Sequence, residues 1–214
     1  MKKSLFLLFI FPLLSFNLFA TEKDNSADSS ALSHNKIYFN YLLNIGVEGF
    51  NNDKMKATYG LTPVLNFEFR TTVSPGLDGV IDISFSRKKG GYSYYDPFGW
   101  PEVIEKYNLT LFYEKIGLGL RICDKRFYKR TPFLDAGLDA VYAKEWRDGY
   151  SGSGSAMGSH FAIGFSGNIN KNWIFQVKGR LQFLSIPMKA DNYYSSKELD
   201  LSGVGMSIGI GFSK

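Results

Sequence analysis

The chain has 214 residues, 25 basic and 20 acidic side chains and a formal net charge of +5. That length suits one domain or two small ones. The single Cys excludes an internal disulfide framework. The 19 Phe, 13 Tyr and unperiodic 22 Gly exclude collagen-like and broadly disordered chains. Beyond residue 20 no apolar run approaches the roughly 18 residues that a membrane-spanning helix needs.

Met1-Lys2-Lys3 is a short positive start, followed by an apolar stretch from Ser4 to Phe19 and then Ala20. This pattern predicts a secretory signal peptide over 1–20. Removing Lys2 and Lys3 leaves the mature chain nearly neutral, which argues against nucleic acid as a partner. Residues 21–36, TEKDNSADSSALSHNK, are polar and lack aromatics. They read as a flexible leader before a domain over 37–214.

From residue 37 the hydrophobic period is two. Ile37, Phe39, Tyr41, Leu43, Ile45 and Val47 alternate with largely polar or small residues. Leu61, Leu65, Phe67 and Phe69 alternate with Asn66, Glu68 and Arg70, and Ile81, Ile83 and Phe85 with Asp82 and Ser84. Ser74-Pro75-Gly76 between these two has turn chemistry. In the fourth segment Leu109, Leu111 and Tyr113 hold one parity, whereas Ile116, Leu118, Leu120 and Ile122 hold the other. Two strands joined at Glu114-Lys115 would fit, as would one strand with a bulge that restores the facing. Segments around 134–142, 161–165, 173–183 and 204–212 alternate in the same way, and none shows a sustained helical period.

A secreted sandwich also alternates. Here, however, the second face mixes Gly and Ser with isolated charges of both signs: Glu48, Glu68, Arg70, Asp82, Arg121, Asp139, Lys178 and Arg180. Such a face suits a narrow closed interior in which charges pair. Together with the aromatic excess this points to an all-β, antiparallel up-and-down transmembrane barrel in the outer membrane of a Gram-negative bacterium. Short turns belong to the periplasm and long links to the outside. Phe50–Lys56, Arg87–Glu102, Arg147–Ser155 and Pro187–Glu198 are then external, with Tyr95 outside and Asn170 in the periplasm. Walks from both termini agree when residues 103–123 cross once, which selects the bulge and gives eight strands. Leu43, Phe67, Ile83, Leu111, Phe175 and Ile208 are then expected to face lipid.

Thr131-Pro132-Phe133-Leu134-Asp135-Ala136-Gly137-Leu138 is similar to a strand opening common in small outer-membrane barrels. The last strand, Gly203 to Phe212, resembles the C-terminal signal read by the barrel-assembly machinery, although Ser213 and Lys214 follow the aromatic. Over about 37–212 the chain resembles the eight-stranded OmpA/OmpX-type barrels and the related opacity and OmpW-like proteins. That resemblance implies outer-membrane lipid and lipopolysaccharide as surroundings. It leaves function open, because the architecture hosts adhesins, anchors, small channels and lipid A-modifying enzymes.

No cofactor, metal or catalytic set is expected. There is no His/Cys cluster, and the deacylase pattern of His, one residue, then Ser-Asn is absent. His160 points inward by parity, with Asp139 and Ser166 as possible lumen neighbours, and reads as a hydrogen-bonding residue. Cys123 reads as an inert inward thiol. Arg87, Lys88 and Lys89 are candidates for contact with lipopolysaccharide phosphates, and Lys125, Arg126, Lys129 and Arg130 for phospholipid headgroups. The segment 87–102, with Tyr92, Tyr94, Tyr95, Phe98 and Trp100, offers a surface for a ligand. The expected role is envelope integrity or surface interaction through the loops. A solute channel or a lipid-modifying enzyme are the alternatives.

Overall fold

The computed structural model describes residues 39–94, 105–123, 131–147, 150–190 and 197–214. Residues 1–38, which include the segments read as signal peptide and leader, Tyr95 and the basic residues 125–130 lie outside that set.

The described residues form ten strands: β1 (Phe39–Phe50), β2 (Thr62–Ser74), β3 (Leu77–Tyr94), β4 (Glu105–Cys123), β5 (Thr131–Arg147), β6 (Tyr150–Asn168), β7 (Trp173–Phe183), β8 (Ser185–Ala190), β9 (Lys197–Asp200) and β10 (Gly203–Ser213). β1 to β7 and β10 pair in a closed antiparallel ring, with β10 against both β7 and β1. β8 and β9 form a hairpin that prolongs β7 and β10 beyond the ring and touches β6 at Gly152 and Ser153. Closure leaves eight barrel strands without a free edge.

The two ends differ. At one end the connections are tight. Pro75-Gly76 turns β2 into β3, with Gly76 at φ 83°, a conformation that glycine adopts without a Cβ penalty. Between β6 and β7 the Asn170 side chain accepts from the backbone N–H of Asn172 and Trp173 at 2.9 and 2.8 Å. The opposite, loop end carries the β8–β9 hairpin and a helix, α1 (Asp53–Tyr59). Asn52 caps α1 by accepting from Lys54 and Met55, and Gly60 (φ 57°) ends it with an N–H to Lys56 O bond. A helix this short shows too little of a helical period to be read from hydrophobic spacing.

Four expectations need correction. Residues 87–94 continue β3 as paired strand against 105–112 rather than opening a loop. Within the expected link Arg147–Ser155, Arg147 and 150–155 are strand, with Arg147 opposite Tyr150. The described residues of Pro187–Glu198 belong to the paired strands β8 and β9. Finally, β4 has no bulge: its register runs unbroken from Leu77↔Ile122 to Tyr94↔Glu105 and, against β5, from Cys123↔Phe133 to Leu109↔Arg147.

Without a bulge, the odd positions of β4 from Leu109 to Cys123 point inward. Leu111 is fully buried inside the barrel, so it does not face lipid. The apolar parity changes because the solvents exchange places. Near the turns the exterior is apolar, with Ile116, Leu118, Leu120 and Ile122 exposed; near the loops it is the interior that is apolar. A ring of outward aromatics, including Phe39, Tyr41, Phe69, Trp173 and Phe212, marks the turn end. Phe112 and Trp146, centroids 6.5 Å apart, face outward towards the loop end.

Candidate functional site in the barrel lumen

The inward faces meet in a polar core that begins near the turn end. Arg121 is fully buried on β4. Its Nε and Nη2 donate to both Asp135 oxygens at 2.6 and 2.7 Å, and its Nη1 donates to Gln176 Oε1 at 2.8 Å. Nη2 also lies 2.9 Å from Glu68 Oε1, and the guanidinium stacks 3.8 Å from the centre of the Phe133 ring. Glu68 in turn takes Lys178 at 2.7 Å and Gln176 at 3.1 Å. Arg70 is the loosest member, its Nε standing 3.6 Å from Glu68 without a hydrogen bond. Beside it the Cys123 thiol donates to Asp78 at 3.5 Å.

The next layer is built on Arg180. Its Nη1 reaches Asp82 at 3.1 Å, and its Nη2 reaches both Asp139 oxygens at 2.6 and 2.7 Å. His160 Nδ1 is 3.0 Å from Asp139 Oδ1. Asn66 joins Asp82 to Ser84 and Asn44. Gly117 makes room for the paired acids, since a Cβ there would meet the Asp82 and Asp139 carboxylates. The Asp82, Asp139 and His160 donors lie within 4.8 Å of one another. Arg180 already donates to both carboxylates, so its guanidinium holds the place a cation would need. Ser166, weighed in the sequence as a possible lumen neighbour of His160, lies six positions along β6, roughly 20 Å away. His160 and Asp139 therefore do not gain Ser166 as a nucleophile.

Above this, Lys115 donates to Glu48 and, at 2.8 Å, to Gln182, while the Tyr113 hydroxyl donates to Glu48. Then the chemistry changes. Phe50, Leu109, Leu111, Val141, Leu184, Ile186, Met188, Leu199 and Leu201 form an apolar cluster inside the loop end, joined by Met55 and Tyr59 of α1. The Tyr59 hydroxyl donates to Glu145 at 2.6 Å. Burial, and then the Glu145 carboxylate, hold this phenol well above its ordinary value.

All eight charged residues expected to share the interior are buried: Glu48, Glu68, Arg70, Asp82, Arg121, Asp139, Lys178 and Arg180. The geometry joins them in three groups, around Glu68, around Arg180 and at Glu48. Lys115, Asp135, Gln176 and Gln182 belong to the same core. An unbroken alternation along 109–123 would have placed Lys115 inward; the assumed bulge concealed it. Among the basic residues of β3, Arg87 and Lys89 are exposed, whereas Lys88 shares the inward side with its partner Leu111.

No protein-family model matches the sequence, and no curated protein matches it. Among solved structures, outer membrane protein OprG from Pseudomonas aeruginosa aligns with a TM-score of 0.58 at 11% identity, covering 83% of this chain and 95% of that one. Neisserial surface protein A aligns with a TM-score of 0.53 at 13% identity, covering 82% and 96%. Sequence identity this low carries architecture alone, and with the closed ring described above it gives this chain the fold of the small eight-stranded outer-membrane barrels.

Proposed function

We propose that the chain is an outer-membrane barrel whose lumen is plugged by its own side chains, and that it acts through its exterior and its loop end, in envelope integrity or surface interaction. The observation that carries this reading is the filling of the interior. Ion pairs occupy the membrane level and an apolar cluster occupies the loop end. A cavity beside Glu48, Asn66, Ser84, Lys178 and Arg180 has a volume of about 30 Å³, room for a single water. A band of exposed apolar side chains with aromatics at its margins supports a lipid surrounding. The proposal also places the loop end outside the cell, reads 1–20 as a signal peptide and 21–36 as a leader, and takes β10, ending at Phe212, as the segment offered to the assembly machinery.

Planar-bilayer recording of the purified protein tests the plug. The expected result is little or no steady current. A large, stable, ion-selective conductance would overturn it and make the chain a small solute channel.

A further inference from the structure

The outward face of the long wall formed by β3 to β6 changes character at one level. On β4 the outward residues Ile122, Leu120, Leu118 and Ile116 are exposed and apolar, and Glu114, Phe112 and Thr110 follow. The distance from Ile122 to Phe112 is roughly 33 Å of strand, which at a tilt of about 40° covers about 25 Å, the height of a lipid-facing band. Phe112 therefore stands where headgroups begin.

The register carries a row from Phe112 across the wall, its depth changing by about 3 Å per strand at that tilt. Arg87 lies opposite Phe112, Phe112 opposite Lys144, Lys144 opposite Ser153, and Ser153 opposite Lys189. Three cations thus share one outward row on every second strand, roughly 10 Å apart. Lys89 stands in the next row, opposite Thr110, with Trp146 beyond it. Lys144 Nζ lies 5.1 Å from the centre of the Trp146 ring. Arg87, Lys89 and Lys189 are exposed. The outward positions of β1, β2, β6, β7 and β10 carry no charged side chain. Among the described residues the nearby carboxylates are Glu114, one row below on β4, and Glu198, which accepts from the Ser185 hydroxyl.

We propose that Arg87, Lys89, Lys144 and Lys189 form a one-sided seat for the phosphate groups of an outer-leaflet glycolipid, the lipopolysaccharide of the outer membrane. This rests on the reading above that the loop end is outside. Solvated charge alone would have no reason to gather on one wall beside interface aromatics. A phosphorylated glycolipid meets both conditions. Its acyl chains lie on the apolar band, its sugars against Phe112 and Trp146, and its phosphates against the cations. The row keeps the glycolipid oriented on one side, leaving the wall made by β7, β10, β1 and β2 to uncharged contact.

The test uses the full chain in phosphatidylcholine nanodiscs supplied with lipopolysaccharide, and measures glycolipid retained per protein after washing. Heat-modifiable gel migration confirms folding. Wild type is compared with R87A/K89A/K144A/K189A, with the single variants R87A and K189A, and with R87K. Each alanine is expected to reduce retention by about fivefold, as for a basic residue at a charged lipid surface. The quadruple variant should fall furthest, and R87K should stay near wild type. Enzymatically dephosphorylated glycolipid should be retained equally by wild type and quadruple variant. If the quadruple variant fails to fold, the single variants decide. Retention unchanged by the substitutions overturns the proposal. So does displacement by an equal amount of phosphatidylglycerol, which would mean a general anionic surface. A current through wild type with phosphate-dependent retention intact would sink the plug alone. Lost selectivity without current would sink the seat alone.

Discussion

Leu111 and Leu118 lie on the same strand, yet Leu111 is fully buried inside the barrel while Leu118 is 59% exposed on its outer surface. Between them the wall passes from a water-facing to a lipid-facing regime. At the loop end the barrel follows the rule of soluble proteins, with apolar residues inside, and the hydrophobic effect drives its packing. At the membrane level lipid accepts the apolar residues outside, and the interior is free to be polar. That freedom has a condition: each buried charge must find a partner. The same inward parity therefore carries Leu111 at one end and Arg121 at the other.

The largest expected effect comes from breaking a pair in the polar half. Arg121→Ala strands Asp135, removes one of the cations around Glu68 and should destabilise the fold by about 3–5 kcal/mol, measured by urea unfolding in lipid vesicles. Arg70→Ala should cost clearly less, because Arg70 touches Glu68 only at 3.6 Å. Equal losses would mean that the ion-pair geometry does not govern stability.

The exterior of that half can be probed at Leu118, near the middle of the apolar band. Leu118→Arg should cost about 2–4 kcal/mol in a bilayer. A neutral result would remove lipid from the account of this surface. In the apolar half, Leu111→Ala should cost about 2–3 kcal/mol by opening a cavity in a packed core. Its cost should depend little on bilayer thickness, whereas that of Leu118→Arg should depend on it. Identical lipid dependence would contradict the division between the two regions.

The smallest effect belongs to Tyr59, which ties α1 to the barrel. Tyr59→Phe removes its hydrogen bond to Glu145 and should cost about 1–2 kcal/mol. The folded phenol value is raised, so its contribution is complete below the unfolded value of about 10 and is lost as pH rises from there towards the folded value. Unfolding measured between pH 8 and 11 should therefore show a steeper loss in wild type than in Tyr59→Phe. Parallel curves would show that Tyr59 does not titrate in the unfolding equilibrium.

Much of this was legible in the sequence, and the failures share one cause. Strand number, turn positions and the inward parity of Glu68, Asp82, Asp139 and Arg180 follow from a period of two. The bulge was inferred because apolarity was equated with a single direction. Along β4 the apolar side instead moves from outside to inside as the surroundings change from lipid to water, which turns Leu111 inward and hides the inward parity of Lys115. α1 was missed because its signals are local caps, Asn52 and Gly60, rather than periodicity.

Alternation determined that this chain would be a sheet with two chemically distinct faces, because a strand exposes successive side chains to opposite sides, and the charges of both signs on the second face pointed to closure. Which charges meet was decided only in three dimensions. Glu68 lies 53 residues before Arg121 and 110 before Lys178, and barrel closure with its register brings all three together. Partner choice depends on which strands become neighbours and at what stagger, and no stretch of sequence shorter than the whole ring contains that information.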